Sequence, residues 1–130
     1  MNGPGLGGAA PVVLVVDDDP AIRLLCRVNL ELAGYRVHEA ETLAEARDAM
    51  AADEVALILL DLHVGTGDGR AFLRELRDEG NAVPVTLFTG SAEVDEQHRR
   101  LADGVLPKPF DLEELSATVD RLAPRVDSGM

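Results

Sequence analysis

The stretch Val12-Val13-Leu14-Val15-Val16-Asp17-Asp18-Asp19-Pro20 decides the fold, because five consecutive apolar residues run directly into three carboxylates. A continuous apolar run of this length predicts a strand that is buried on both faces, as is typical of parallel sheets. Three like charges at the end of such a strand each raise the cost of ionising the next. The stretch therefore predicts a buried strand whose carboxyl end faces something positive.

Segments of strand length and of helical period alternate along the rest of the chain. The predicted strands are residues 12–16, 35–40, 55–60, 83–88 and 104–106. Thr42 with Glu45 fits a capping box at a helix start. Ser91 and Asp111 are good N-cap residues, and Gly34 suits the end of the first helix. This alternation predicts a mostly parallel sheet with helices on both faces.

The length of 130 residues suits one domain. We expect the folded domain to span residues 11–123, between a flexible Gly-rich segment at 1–10 and a flexible tail at 124–130. No apolar run is long enough for a membrane span, and the first residues lack the features of a signal peptide, so we expect a cytoplasmic protein. The single cysteine, Cys26, lies in a helical pattern among apolar residues and is predicted to be a core residue.

The charge balance narrows the possible partners. A formal net charge of −12 argues against direct binding of nucleic acid, which needs clustered basic residues. Among the twelve basic residues eleven are arginines, and the single lysine is Lys108, in Leu106-Pro107-Lys108-Pro109-Phe110. This isolation suggests a specific role for Lys108.

Chemically active residues follow the carboxyl ends of four predicted strands, where ligands bind in such folds. They are Asp17 and Asp18 after the first strand, Asp61 after the third, Thr89 at the end of the fourth and Lys108 beyond the fifth. Each has an ordinary alternative: an acidic run is often a solvated turn or a helix cap, and a threonine or a lysine is often a strand or a surface residue. The ordinary alternatives do not account for their placement on one edge.

Phosphoryl transfer to a carboxylate is the chemistry that needs this set. A carboxylate is a usable covalent acceptor, but three carboxylates would repel a phosphoryl group unless a divalent cation neutralised them. Mg²⁺ is the natural choice, because it prefers a few carboxylates together with substrate oxygens and water. Lys108 would then contact one phosphoryl oxygen as a point charge, and the Thr89 hydroxyl would donate to another.

Four motifs, VVDDDP, LILLDLHVGTGDG, TLFTGSAE and LPKPF, together resemble the receiver domain of two-component response regulators over roughly residues 11–123. The resemblance implies a flavodoxin-like (βα)5 fold, a three-layer sandwich in which a five-stranded parallel sheet has the strand order 2-1-3-4-5. It also implies that the protein is a bacterial signalling phosphoacceptor that catalyses only its own phosphorylation and dephosphorylation.

The resemblance assigns roles to the motif residues. Asp61 would accept a phosphoryl group from a sensor histidine kinase or a histidine phosphotransfer protein. Asp18 and Asp61 would bind Mg²⁺ directly, Asp17 would bind it through water, and the backbone carbonyl of His63 would complete the protein ligands. Thr89 and Lys108 keep the roles given above. The Lys108-Pro109 peptide bond is expected to be cis.

Two departures from the family pattern and two further positions of interest accompany the resemblance. Gly65 stands where the family usually has a proline, and Val105 stands where it usually has an aromatic switch residue. His63 and Ser91 occupy two positions that tend to set the phosphoryl lifetime in the family. We hypothesise that the His63 side chain alters this lifetime, the alternative being a loop histidine without effect. Two other histidines, His38 and His98, are assigned to the surface.

The prediction is a stand-alone response regulator that signals by contact with an unidentified target protein. In the first helix, Arg23, Arg27 and Glu31 are expected to face water, and Leu24, Val28 and Leu32 extend the apolar arc. These three apolar residues either pack against a loop or form a docking strip for the phosphodonor.

Three other functions compete with this prediction. The main alternative is a receiver fold that serves as a phosphorylation-independent interaction module. A haloacid dehalogenase-type enzyme is disfavoured because His63 stands where such an enzyme has its second aspartate. A flavin or nucleotide binder is disfavoured because DDDP would repel a phosphate.

Overall fold

The computed structural model describes residues 10–90 and 95–124. The segments predicted to be flexible lie almost entirely outside the described residues, as does Ser91, so its predicted cap stays a prediction. Within the described ranges, no helix has the length and apolar character needed to cross a membrane.

A five-stranded parallel sheet forms the centre of the molecule. Its strands are β1 (Val12–Val16), β2 (Arg36–Ala40), β3 (Val55–Asp61), β6 (Val85–Thr89) and β7 (Gly104–Pro107). They lie in the order β2-β1-β3-β6-β7, and every neighbouring pair is parallel. This is the predicted order 2-1-3-4-5, so the predicted doubly wound fold is confirmed.

Two short strands that sequence periodicity does not predict form a separate antiparallel hairpin. They are β4 (His63–Val64) and β5 (Gly67–Asp68), paired as His63 with Asp68 and Val64 with Gly67. Gly65 occupies the turn with φ of 62°, a left-handed conformation that glycine adopts without steric cost. The hairpin therefore directs the chain from β3 back toward the start of the next helix.

Five helices occupy the described residues and connect the strands. They are α1 (Pro20–Leu32), α2 (Leu43–Ala52), α3 (Gly69–Asp78), α4 (Glu96–Leu101) and α5 (Leu112–Leu122). Thr42 and Asp111 are confirmed as N-caps, because their side chains accept hydrogen bonds from the first turns of α2 and α5. The predicted capping box at Thr42 is only half formed, since Glu45 Oε1 accepts from the Glu41 N–H instead of the Thr42 N–H. Gly34 follows α1 with φ of 100°, as predicted for a helix end.

Alternate residues of β1 and β3 contribute their side chains to two separate hydrophobic cores, one on each face of the sheet. On one face Leu14 and Leu60 pack with the apolar sides of α2 and α3, including Phe72. On the other face Val15 and Leu59 pack with α1 and α5, and Cys26 is buried among them as predicted. Because both faces are covered, these strands carry no polar residue until they end.

Two predicted helix faces are partly wrong. Helical spacing predicts that Leu112 shares one apolar face of α5 with Leu115, Val119 and Leu122, but Leu112 is 42% exposed because it lies in the first turn, directly after the N-cap residue Asp111. Arg23 was expected to face water, yet its side chain is only 14% exposed because it turns toward the end of β1 and toward β2. The three apolar residues expected to extend the apolar arc of α1 are exposed: Leu24, Val28 and Leu32 are 50%, 43% and 82% exposed.

Candidate functional site

The first part of the site is the turn that joins β1 to α1. The Asp17 side chain is completely buried, and its Oδ1 accepts a hydrogen bond of 2.9 Å from the Asp19 backbone N–H. Asp19 is the N-cap of α1, since its Oδ1 accepts from Ala21 N–H, and Pro20 occupies the first helical position. Asp18 is exposed. Thus Asp19 caps the helix, while Asp17 and Asp18 are left for other contacts.

Asp61 lies at the carboxyl end of β3, next to β1. Its side chain is 13% exposed, and its Oδ1 accepts a hydrogen bond of 3.3 Å from the His63 backbone N–H. The hairpin also reaches Asp18, whose Oδ2 accepts from the Gly65 N–H at 3.0 Å. The His63 side chain is exposed. The loop after Asp61 therefore contacts both acidic strand ends through its backbone.

Gly69 allows α3 to begin directly against the backbone of Asp61. A Cβ atom at this position would lie 2.1 Å from the Asp61 carbonyl oxygen and 3.1 Å from Leu62 Cα. The Gly69 N–H donates to the Leu62 carbonyl at 2.9 Å, which closes the hairpin onto the strand. Any side chain here would displace the backbone of the expected acceptor.

Lys108 reaches the same edge from the end of β7. Its Nζ donates to Asp17 Oδ2 at 2.7 Å and lies 3.6 Å from Asp61 Oδ2. The Lys108-Pro109 bond is cis, as expected from the resemblance. The ammonium group therefore sits between the carboxylates of Asp17 and Asp61, closer to Asp17.

The three predicted acidic residues form a group that fits a hard divalent cation. Asp17, Asp18 and Asp61 each offer a carboxylate oxygen, and these oxygens lie within 4.8 Å of one another. Oxygen donors at this spacing are the ligands that Mg²⁺ and similar ions prefer. The arrangement of the donors, from buried Asp17 to exposed Asp18, leaves one side of the group open to solvent.

The charges at the site shift the pKa values of its members. Burial raises the pKa of Asp61, and the nearby charge of Asp17 raises it further, against the opposing effects of Lys108 and the His63 N–H. Burial by itself would lower the pKa of Lys108, but the hydrogen bond and the charge of Asp17 raise it overall. The site thus holds more negative charge than its one lysine balances, which favours a cation.

Thr89 and Val105 lie on strands β6 and β7, which follow β3 in the order of the sheet. Thr89 is buried at the end of β6, one residue beyond Phe88, which pairs with Asp61 in the sheet. It therefore lies on the edge where the sequence places it. Val105 pairs with Leu87 and packs against one core, so β7 has a small aliphatic residue there.

Arg23 is a residue of the site that the sequence analysis did not identify. Its Nη1 donates to the Asp17 backbone carbonyl at 2.7 Å, and its Nε pairs with Glu39 at 3.1 Å. Its position in the sequence could have indicated this role. Arg23 lies four residues after the N-cap Asp19, so it is on the side of the first helical turn that faces the end of β1.

The assignment of His98 to the surface is wrong. The His98 ring is buried: Nδ1 lies 2.6 Å from Asp95 Oδ1 and Nε2 lies 3.0 Å from an Arg74 guanidinium nitrogen. This contact between α3 and α4 shields the ring.

Cys26 is excluded as a nucleophile, because burial, followed by the charge of Asp17, raises the pKa of its thiol to about 12.

Comparison with known proteins identifies relatives of this architecture and site. A family model for the response regulator receiver domain matches residues 13–120. The response regulator MprA of Mycolicibacterium vanbaalenii is 40% identical over 116 residues, which cover 87% of this chain and 50% of that protein. MprA of Mycobacterium tuberculosis has the same identity and coverage. The chain thus spans about half the length of these curated relatives.

The comparison with solved structures of the same fold extends over nearly the whole length of those chains. The chemotaxis response regulator CheY4 of Vibrio cholerae superimposes with a TM-score of 0.79 at 28% identity, covering 87% of this chain and 98% of that one. The response regulator TrrA of Thermotoga maritima, crystallised in complex with Mg²⁺-BeF, gives a TM-score of 0.78 at 28% identity, covering 86% and 98%.

Proposed function

The chain belongs to the family of response regulator receiver domains, and from this premise we propose that it is a phosphorylation switch whose acceptor is Asp61. The observation that carries the proposal is the acidic group itself. Three carboxylate oxygens lie within 4.8 Å of one another, and a single lysine stands between the carboxylates of Asp17 and Asp61. Such a group favours a divalent cation and an anionic phosphoryl group together.

The residues divide the work of the transfer among them. An Asp61 carboxylate oxygen attacks the phosphorus atom of a phosphohistidine, the new O–P bond forms, and the P–N bond breaks with its electron pair going to the imidazole nitrogen. Lys108 neutralises charge on one phosphoryl oxygen, and the Thr89 hydroxyl donates to another. Asp61 is positioned for attack by the His63 N–H and by the close packing of Gly69.

Mg²⁺ is the proposed cofactor, and it would offset the mutual repulsion of the carboxylates and the phosphoryl group. Asp18 and Asp61 would hold it directly, Asp17 through water, and the backbone carbonyl of His63 would complete the protein ligands. The oxygen-only donor set supports this choice, since softer metals prefer nitrogen or sulfur ligands. The Mg²⁺-BeF complex of TrrA is consistent with such a site in a relative.

The proposed phosphodonor is a sensor histidine kinase or a histidine phosphotransfer protein, acting in the cytoplasm. Support comes from α1, whose Leu24, Val28 and Leu32 expose an apolar ridge that starts near the acidic edge. We propose that the donor docks on this ridge, which is a small hydrophobic patch rimmed by charged residues. The output is proposed to be contact with a target protein, without direct contact to nucleic acid or membrane.

Intact-mass measurement tests the proposal directly. The protein is incubated with acetyl phosphate in the presence and absence of MgCl₂, beside Asp61→Asn and the control Asp53→Asn, which changes a surface carboxylate paired with His38. We expect the parent and Asp53→Asn to gain the mass of one phosphoryl group only with Mg²⁺. Asp61→Asn should gain nothing. Absence of any gain in the parent would contradict the proposal and favour the phosphorylation-independent module.

A further inference from the structure

Arg23 links helix α1 to the end of strand β1 through a partly buried side chain. Its Nη1 donates to the Asp17 carbonyl at 2.7 Å, its Nε pairs with Glu39 Oε1 at 3.1 Å, and the side chain is 14% exposed. A guanidinium held by two acceptors in a planar fork has little freedom to move. Arg23 is therefore fixed against the backbone of Asp17.

The Asp17 carbonyl lies just outside the regular sheet. The last pair of β1 and β2 is Val16 with Ala40, and the Asp17 N–H donates to the Ala40 carbonyl at 3.1 Å. The Asp17 carbonyl is thus the first carbonyl beyond the β1–β2 ladder, and it accepts a hydrogen bond from Arg23 instead. The side-chain oxygens are held separately, Oδ1 by Asp19 N–H and Oδ2 by Lys108.

We propose that Arg23 is a positioning residue for the divalent cation, acting through Asp17. The inference rests on the proposed function of the acidic site. By fixing the backbone on which the Asp17 carboxylate is mounted, Arg23 keeps a fully buried ligand aimed at the group formed with Asp18 and Asp61. Partners that orient metal ligands in this way contribute strongly to metal affinity.

The direction in which the Mg²⁺ affinity of an Arg23 variant changes distinguishes a positioning role from a simple effect of charge. Removing a positive charge close to a cation site reduces repulsion, so by charge alone an Arg23 variant would bind Mg²⁺ more tightly. Loss of positioning has the opposite effect. Weaker binding therefore reports on the contact with Asp17 rather than on the charge.

Arg27 provides a matched control one turn further along α1. Its Nη1 pairs with the same acceptor residue, Glu39, at 3.0 Å, and it carries the same charge, but its contacts do not include Asp17. Arg27→Ala consequently removes an ion pair and a charge of the same kind. Arg23 differs from Arg27 in its hydrogen bond to the Asp17 carbonyl and in its deeper burial, with side chains 14% and 43% exposed.

Isothermal titration calorimetry with MgCl₂ tests the proposal on the parent, Arg23→Ala, Arg27→Ala and Arg23→Lys. We expect Arg23→Ala to bind Mg²⁺ about tenfold more weakly, and Arg27→Ala to bind like the parent or slightly more tightly. Arg23→Lys should recover part of the affinity, because it restores one donor without the fork.

Equal Mg²⁺ affinities for Arg23→Ala and Arg27→Ala would overturn the inference and leave the proposed function standing. Absence of Mg²⁺ binding by the parent would overturn the proposed function and the inference with it. Urea unfolding of each variant reports whether it is folded. If Arg23→Ala does not fold, Arg23→Gln keeps part of the aliphatic stem and replaces it in the same comparison.

Discussion

Strands β1 and β3 have opposite characters in their middles and at their carboxyl ends. Val13–Val16 and Leu57–Leu60 are fully buried and entirely apolar. One residue further along each strand, the equally buried Asp17 and the mostly buried Asp61 carry charges that one lysine, Lys108, only partly balances. The middles stabilise the fold by roughly 1.5–3 kcal/mol for each large side chain. The ends oppose it, which indicates that the carboxylates are present for what they bind.

The largest change in the free energy of unfolding is expected for a substitution in the middle of β3. Leu59→Ala removes a fully buried side chain from the core beneath α1 and α5, and we expect a loss of about 3 kcal/mol in the free energy of unfolding. Urea denaturation measures it. The folded fraction should still accept a phosphoryl group from acetyl phosphate, because no site residue changes.

Leu24→Ala is the control for this loss, since Leu24 is 50% exposed. Its free energy of unfolding should stay within about 0.5 kcal/mol of the parent. Similar losses for the two variants would mean that burial in the strand middles does not dominate stability.

A smaller effect is expected where the two regions meet, at Gly69. Gly69→Ala places a Cβ 2.1 Å from the Asp61 carbonyl oxygen, and neither backbone segment can move aside cheaply. We expect a loss of about 1–3 kcal/mol together with slower phosphoryl uptake from acetyl phosphate. A stable variant with unchanged uptake would show that the acceptor tolerates displacement.

Gly90→Ala serves as the control for backbone freedom. Among the described residues, no atom outside Gly90 and its chain neighbours lies within 4 Å of a Cβ added at Gly90, and neither Gly69 nor Gly90 has a positive φ. The free energy of unfolding of Gly90→Ala should therefore change by less than about 0.5 kcal/mol.

The smallest effect concerns a buried polar group that is away from the acidic edge. Thr86 in β6 is completely buried, and its hydroxyl has no hydrogen-bond partner among the described residues. Thr86→Val removes an unsatisfied polar atom at nearly constant shape, so we expect about 1 kcal/mol of added stability by urea unfolding. Thr86→Ser retains the hydroxyl, loses a methyl group and should be less stable than the parent. A destabilised valine variant would mean that the hydroxyl contributes to the fold.

Much of the architecture could be predicted from local patterns. The uninterrupted apolar runs predict strands buried on both faces, and caps such as Thr42 and Asp111 predict where helices begin. The hairpin His63–Asp68 could not be predicted, because strands of two residues have no period to detect. The burial of His98 also escaped prediction, because its partner Arg74 is 24 residues away and on another helix.

The sequence by itself determined which residues follow each strand, and therefore which residue types stand on the carboxyl edge of the sheet. Parallel strands share that edge whatever the loops between them do, so Asp17, Asp61 and Lys108 had to lie on the same edge of the sheet. Only the tertiary structure decided their distances: Lys108 lies closer to Asp17 than to Asp61, and Arg23 holds the Asp17 carbonyl. The physical reason is that these contacts depend on side-chain paths between elements far apart in the chain, which no local periodicity encodes.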